Sequence, residues 1–307
     1  MTQTIALAGA GGIGSHIVDA ILQDGSYRLI VLSRSTSQTL ANRGVAVRAV
    51  DYSSIPSLTE ALKGVDVVIS CVFKLPPDSQ VQQNLFLAAE ANGVKRFIPS
   101  EFGMDVRKFE GGMDFVEFKR RFRQVLFEQD KIEYTCICTS TFMDYILPKN
   151  DRKYLGKEYT CPVDFETMNA IIPGDGNNSI TLTWADDVGK AIVWLLHDSR
   201  PWPKYTYVKG TVTSWNKLLK WGEQATGQKF NVQRISMETL VKNAEEAKAD
   251  PSNPMKVAMA GMMLFFASDD MMLLPDNEDR SMFEGIDFVD VKNLIFKIYG
   301  QKQGTLQ

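Results

Sequence analysis

Histidine is nearly missing from this sequence: its 307 residues include only His16 and His197. The four cysteines, Cys71, Cys136, Cys138 and Cys161, show no metal-ligand spacing, and three of them lie in apolar, strand-like contexts. These scarcities predict no metal site and reduced structural thiols, as in a cytoplasmic protein. They also remove histidine-based catalysis, so any chemistry must rest on another side chain or on a cofactor. A charge excess is lacking too: 34 basic against 37 acidic residues leave a net charge of −3, with no electrostatic footprint for nucleic acid. The longest apolar run, residues 257–267, is too short to span a bilayer and reads as a buried helix, so no membrane association is expected. The opening Met1-Thr2-Gln3-Thr4 has no basic segment of the signal-peptide kind.

What is present is ample apolar material, 44% of residues, enough to build a large core without disulfide or metal staples. Short β-branched runs at residues 4–8, 28–32, 44–50, 65–70, 95–98 and 133–137 alternate with helical patterns at 13–23, 57–62, 80–92 and 113–129. That rhythm predicts an α/β, doubly wound parallel sheet, a Rossmann-type domain over residues 1–150. Ser57 and Glu60 have the spacing of a capping box. Residues 148–178 are rich in turn formers yet carry Phe165, Met168, Ile171 and Ile172, the pattern of a functional loop region over a pocket. A strand at 179–182 and a helix capped by Thr183, with Asp186 and Asp187 in its first turn, read as a return to the first domain through residue 200. Helices at 215–225, 237–247, 254–266 and 288–299 and strands at 205–208 and 229–234 complete a smaller, mixed α/β substrate-binding region over 151–307. The methionine-rich stretch 255–272 has the spacing of a buried helix, with pocket lining as the other reading.

Between the first strand and first helix stands Gly9-Ala10-Gly11-Gly12-Ile13-Gly14, a GxGxxG pattern. Gly9 suits a tight turn, Gly11 lets backbone approach a pyrophosphate, and Gly14 lets the helix pack on the strand. The helix start, with Gly12 and Ile13, then offers amides and a positive dipole to phosphate. An acid is lacking where NAD-binding chains carry one: the second strand ends Leu32-Ser33-Arg34-Ser35. Arg34 has the planar fork that suits a 2′-phosphate, with Ser33 and Ser35 as donors, so NADPH or NADP is the expected cofactor. Cys71, Val72 and Phe73 end the fourth strand, whose carboxyl end faces the cofactor in such a sheet. His16 and His197 read as structural.

The segment Lys95-Arg96-Phe97-Ile98-Pro99-Ser100-Glu101-Phe102-Gly103 resembles the signature of the isoflavone reductase-like, NmrA-type family of atypical short-chain dehydrogenases. Plant phenylcoumaran benzylic ether and pinoresinol-lariciresinol reductases belong to it, with many fungal members, among which this chain is expected to fall. The Tyr134-Thr135 strand and the segment from Thr141-Phe142 to Tyr145 also fit, and the likeness covers residues 4–200. It implies an NADPH-dependent oxidoreductase of secondary metabolism with the substrate between two domains, and a catalytic lysine on the helix after SEFG that also contacts the cofactor near its nicotinamide. That lysine matches Lys119; a one-residue shift would bring Arg120 there, but a guanidinium stays protonated and cannot act as base or proton donor. The expected partner is an aromatic or polyketide-like small molecule, with Phe102, Gly103, Met104, Phe142, Tyr145 and Met168 lining the pocket and Phe142 also near the cofactor. A monomer and a homodimer stay equally open. Tyr145 and Lys149 have the Tyr-x-x-x-Lys spacing, but Pro148 breaks the helix that would place both on one face. The other branch of the family implies a redox-sensing regulator that binds dinucleotide without turnover.

Overall fold

The computed structural model describes residues 2–73, 79–108, 114–157, 161–249 and 253–300. Six parallel strands form the main sheet: β1 (Thr4–Ala8), β2 (Arg28–Ser33), β3 (Ala46–Ala49), β4 (Val67–Ser70), β5 (Arg96–Ile98) and β6 (Glu133–Tyr134). Their order is β3-β2-β1-β4-β5-β6, so the winding reverses between β1 and β4. A crevice opens at the carboxyl ends of those two strands, where Ala8 lies between Leu32 and Ser70. The crossovers carry α1 (Ile13–Asp24), α2 (Gln38–Asn42), α3 (Ile55–Ala61), α4 (Ser79–Ala91) and α5 (Asp114–Phe127).

Residues alternate between the two sheet faces, as strand geometry requires. Ile5, Leu7, Val31 and Ile69 face α1, while Ala6, Ile30, Val68 and Phe97 face the layer of α3, α4 and α5, where Phe86 and Phe122 stack edgewise. After β6 come β7 (Cys136–Cys138), β8 (Thr141–Phe142), β9 (Val163–Asp164), β10 (Asn169–Pro173), β11 (Ile180–Thr183) and α6 (Ala185–His197). The helix α6 lies against α1 because Gly189 has no side chain: a Cβ there would sit 2.8 Å from that of Ala20. A separate core gathers around the fully buried Trp215, with Ile172, Leu218, Phe265 and Ile295. The chain after α6 runs through β12 (Tyr205–Tyr207), β13 (Thr211–Thr213), α7 (Trp215–Thr226), β14 (Asn231–Ile235), α8 (Met237–Ala249), α9 (Pro254–Phe266), α10 (Asp269–Met272) and α11 (Val291–Tyr299), of which α7, α9, α10 and α11 supply this core, while β12 pairs β7 and β14 pairs β10.

Several local expectations are corrected. The cap of α3 is Ser54, whose Oγ accepts from the Ser57 amide, with Pro56 in the first turn; Ser57 instead accepts from Asp51, and Glu60 pairs with Lys63. Thr183 does not cap α6: its hydroxyl donates to the Val208 carbonyl, and a carboxylate brought from elsewhere, Asp144, accepts from the Ala185 amide. The run 133–137 is two strands, one on β5 and one on β12, broken at Thr135. The loop region 148–178 contains a strand pair, β9 and β10. Helix α9 is not fully buried, since Met255 and Met259 are exposed while Phe265 is sealed. The last helix begins at Val291 because Asp290 caps it, so Phe288 precedes it. The expected start of α5 at Met113 falls outside the described residues.

Candidate active site

At the β1–α1 turn the backbone passes so close to itself that side chains cannot fit. A Cβ on Gly14 would collide with the Gly9 carbonyl oxygen and lie 3.1 Å from its carbon. Gly9 itself has φ +88°, and a Cβ on it would sit 3.2 Å from the Cys71 carbonyl. Around Gly11, by contrast, nothing lies within 4 Å of a would-be Cβ, which leaves open space beside the start of α1. Gly12 precedes that start with φ +43°. Close packing behind and room in front fit a dinucleotide pyrophosphate, with the amides of Gly12 and Ile13 and the helix dipole available to it.

Arg34 is exposed at the end of β2, and among the described residues no carboxylate pairs with it. Ser33 is half-buried and its Oγ accepts from the Ser35 amide at 3.4 Å. Ser37 caps α2 immediately afterwards. A bare guanidinium beside two hydroxyls, with no acid, suits a phosphate rather than a pair of ribose hydroxyls.

Across the crevice, Lys119 turns inward from α5 and is buried, as are Glu101 and Arg123. Its amine donates to the Glu101 carbonyl oxygen at 2.9 Å and lies 3.4 Å from the carboxylate Oε2. It is also 3.8 Å from where a Cβ on Gly103 would be, so the glycine leaves the amine one uncrowded side. Arg123, one helical turn on, approaches the other carboxylate oxygen at 3.6 Å, and its Nη1 reaches the Tyr205 hydroxyl at 3.5 Å. Its Nε and Nη2 have no hydrogen-bond partner. Burial works against the Arg123 cation, but Glu101 and Tyr205 outweigh it and raise its proton affinity. Arg120 points elsewhere and pairs with Glu117 on the open face of the helix.

An apolar wall lies beside the glycine loop. Ile13, Cys71, Phe102, Phe142 and Tyr145 pack into one cluster, with Phe142 and Tyr145 edge to face at 6.3 Å. Burial pushes the Cys71 thiol up, so it stays neutral. The structure does not gather every expected residue here. Val72 turns to the opposite sheet face, Phe73 is exposed, and Met104 packs into the core around Trp215. Met168 has φ +54° in the turn between β9 and β10 and faces that same second core, away from Phe142. Tyr145 lies in a short 3₁₀ turn, Met143–Ile146, that ends before Pro148, so Tyr145 and Lys149 do not share a helix.

Residues from distant parts of the chain complete the cradle. Leu155 packs over the glycine loop, its Cδ2 3.8 Å from a would-be Cβ on Gly12. Lys153 and Tyr154 tie this strap to Asp19 of α1, and His16 donates or accepts at 2.6 Å with Asp186. Asp144, sealed beneath α6, has its carboxyl pushed up to about 6, chiefly by burial, with the Ala185 amide and His16 opposing. The i, i+4 spacing of Lys119 and Arg123 was the one available sign that both share a face. Leu155 and Asp144 carried no such sign.

The model of the NmrA-like family matches residues 1–275, and the chain belongs to that family. It is 31% identical over 263 residues to phenylcoumaran benzylic ether reductase Pyrc5 of Pyrus communis, covering 80% of this chain and 82% of that protein. It is 30% identical over 251 residues to the oxidoreductase swnR of Metarhizium robertsii, covering 80% and 81%. Among solved structures, the binary complex of leucoanthocyanidin reductase with NADPH from Vitis vinifera superposes with a TM-score of 0.76 at 23% identity, over 96% of this chain and 99% of that one. The last likeness establishes the doubly wound fold. Among the described residues no helix is long and apolar enough to cross a membrane, and no cluster of metal-binding side chains occurs.

Proposed function

We propose that the protein is an NADPH-dependent reductase acting on an aromatic or polyketide-like small molecule, with Lys119 handling the proton. The observation that carries this reading is the buried amine of Lys119, held at 2.9 Å by the Glu101 carbonyl beside Gly103, in the loop that follows β5, two strands along the sheet from β1 and its glycine loop. Relatives at about 30% identity are named as oxidoreductases and as a benzylic ether reductase, which supports the same class.

In this reading residues 1–150, with 179–200, hold the cofactor, and the remainder of 151–307 holds the substrate. NADPH when bound supplies the hydride, from C4 of its nicotinamide. Gly9, Gly11 and Gly14 orient its pyrophosphate by backbone approach, and Ser33, Arg34 and Ser35 select its 2′-phosphate. Phe102, Phe142 and Tyr145 exclude water from the reacting centre, while Lys119 delivers or removes the proton that the reduced substrate requires. Aromatic side chains along that wall favour a flat substrate.

Steady NADPH oxidation with a panel of phenolics, quinones and enones tests the class. Lys119→Met should lower turnover of the best substrate by about 10²–10⁴-fold while NADPH binding, followed by fluorescence, is kept. Full turnover by that variant would remove Lys119 from the mechanism. Equal affinity for NADH and NADPH with no turnover on the panel would favour the non-catalytic regulator of the same family.

A further inference from the structure

Three charged groups are buried together beneath the site, and they do not balance. Lys119, Glu101 and Arg123 each have less than a tenth of their surface exposed, which puts two cations on one carboxylate. The two cations lie at i and i+4 on α5, the spacing at which like charges oppose helix formation. Glu101 comes between them from the loop after β5 and offers one carboxylate oxygen to each. Arg123 remains poorly paired even so, with Nε and Nη2 lacking hydrogen-bond partners.

The surrounding described residues place no second carboxylate within ion-pair distance of either cation. On β7, burial holds Cys136 well above the usual thiol range and pushes Cys138 up to about 12, so both are neutral. Tyr205 on β12 is raised by burial and is neutral as well. Asp105 is a buried anion whose proton affinity is lowered chiefly by Arg107, held at 2.6 Å, and more weakly by Arg123, with which it makes no ion pair. Arg120 is engaged with Glu117 on the outer face, and Arg121 is exposed. Among the described residues Glu101 is therefore the one carboxylate within ion-pair distance of both buried cations.

We propose that Glu101 and Arg123 are positioning residues that act on Lys119 in opposition: the carboxylate holds the amine and its proton, and the guanidinium, sharing that carboxylate, makes the proton releasable. An arginine does not give up its proton in a protein, so when the cluster sheds its excess charge Lys119 is the group that yields. Excess positive charge favours the neutral amine, and the carboxylate favours the ammonium. The carbonyl of Glu101 meanwhile fixes where the nitrogen stands in either state. This inference rests on the proposed role of Lys119, and it adds what would keep that lysine able to exchange a proton.

The test is a titration of Lys119 in the full-length protein, using ¹³Cε-labelled lysine and NMR, with Lys119→Met to assign the resonance. Glu101→Gln should lower the midpoint by about one pH unit or more, and Arg123→Met should raise it by a similar amount. Opposite displacements are the required result, since loosening of the fold would move both variants the same way. The double variant closes a cycle, so the effect of Arg123 is read either from the native protein or in the Glu101→Gln background, and one unfolded variant leaves the other branch intact. Displacements of the same sign, or an Arg123 step that fails to raise the midpoint in the branch measured, overturn the proposal. Retention of turnover by Lys119→Met would instead overturn the catalytic reading, independently of any titration.

Discussion

The two sides of the crevice are made by different physics. On the nucleotide side the working surface is backbone: Gly9 and Gly14 let chain segments approach closer than any side chain permits, and beyond them a space is left open at Gly11. On the other side it is charge, with Lys119, Glu101 and Arg123 enclosed in apolar packing. The first surface works through missing atoms, so it is damaged by adding one. The second works through an imposed imbalance, so it is altered by changing one charge.

Gly14→Ala should produce the largest effect, because the new methyl meets the rigid Gly9 carbonyl rather than the end of a flexible side chain. Overpacking of this kind costs about 3 kcal/mol. Thermal unfolding should fall accordingly, and NADPH binding should be lost with it. Gly11→Ala is the matched contrast: with nothing within 4 Å, its stability should stay within about 1 kcal/mol while nucleotide affinity drops. Equal destabilisation by the two substitutions would break the distinction between close packing and open space.

Charge is also buried on the side of α1, where the carboxyl of Asp144 lies under the start of α6 near His16. Burial raises it from an ordinary 3.8 to about 6, so the folded chain holds this proton more tightly than the unfolded chain. The stability that follows is present below pH 4 and is lost as the pH rises through 6, with a total of about 3 kcal/mol from a shift of this size. Asp144→Asn keeps an oxygen for the Ala185 amide and removes the ionisation. Urea unfolding at several pH values should find the variant gaining on the native protein between pH 4 and 6. Parallel curves across that range would mean that Asp144 is not penalised by its burial.

The same contrast explains what could be read from the chain before folding. A cradle made of backbone writes itself into a short window, because only glycine meets the steric demand at Gly9 and Gly14, which stand within six positions with Gly11 open between them. The alternating strands and helices of the first 150 residues are legible for a related reason, since their periodicities are local. Lys119 was legible through the SEFG resemblance. The charged cluster spans the β5 loop, α5 and β12, and no local pattern joins Glu101 to Tyr205. Asp144 caps a helix 41 residues away, and Thr183, the residue with the right local chemistry, is drawn off by the Val208 carbonyl. Met168 packs against the core around Trp215, and hydrophobicity in an irregular stretch does not reveal which of two cores will take a residue.

In the proposed reading Arg34 connects the two kinds of surface, as a charge that serves the backbone cradle from outside. It is exposed and unpaired among the described residues, so its removal leaves no buried ion behind. Arg34→Ala should therefore cost little stability while weakening NADPH by about 2 kcal/mol, the value of a charge-assisted bond to phosphate, and leaving NADH unchanged. Parallel fluorescence titrations with the two nucleotides measure the difference. An equal loss for both would place Arg34 on something other than the 2′-phosphate.

The smallest expected effect is the sharpest for the comparison. Arg120 adjoins Lys119 in sequence and carries the same charge, yet it lies on the outer face of α5 with Glu117 at 2.8 Å. A partly exposed i, i+3 pair contributes about 0.5 kcal/mol or less, because water and salt screen it. Arg120→Ala should thus leave unfolding, NADPH affinity and turnover nearly unchanged, where Lys119→Met should remove turnover. Two adjacent cations of one helix would then differ by orders of magnitude solely through the direction each side chain takes from the backbone. If Arg120→Ala matched Lys119→Met, the charge of the helix as a whole, rather than one enclosed amine, would be what the crevice uses.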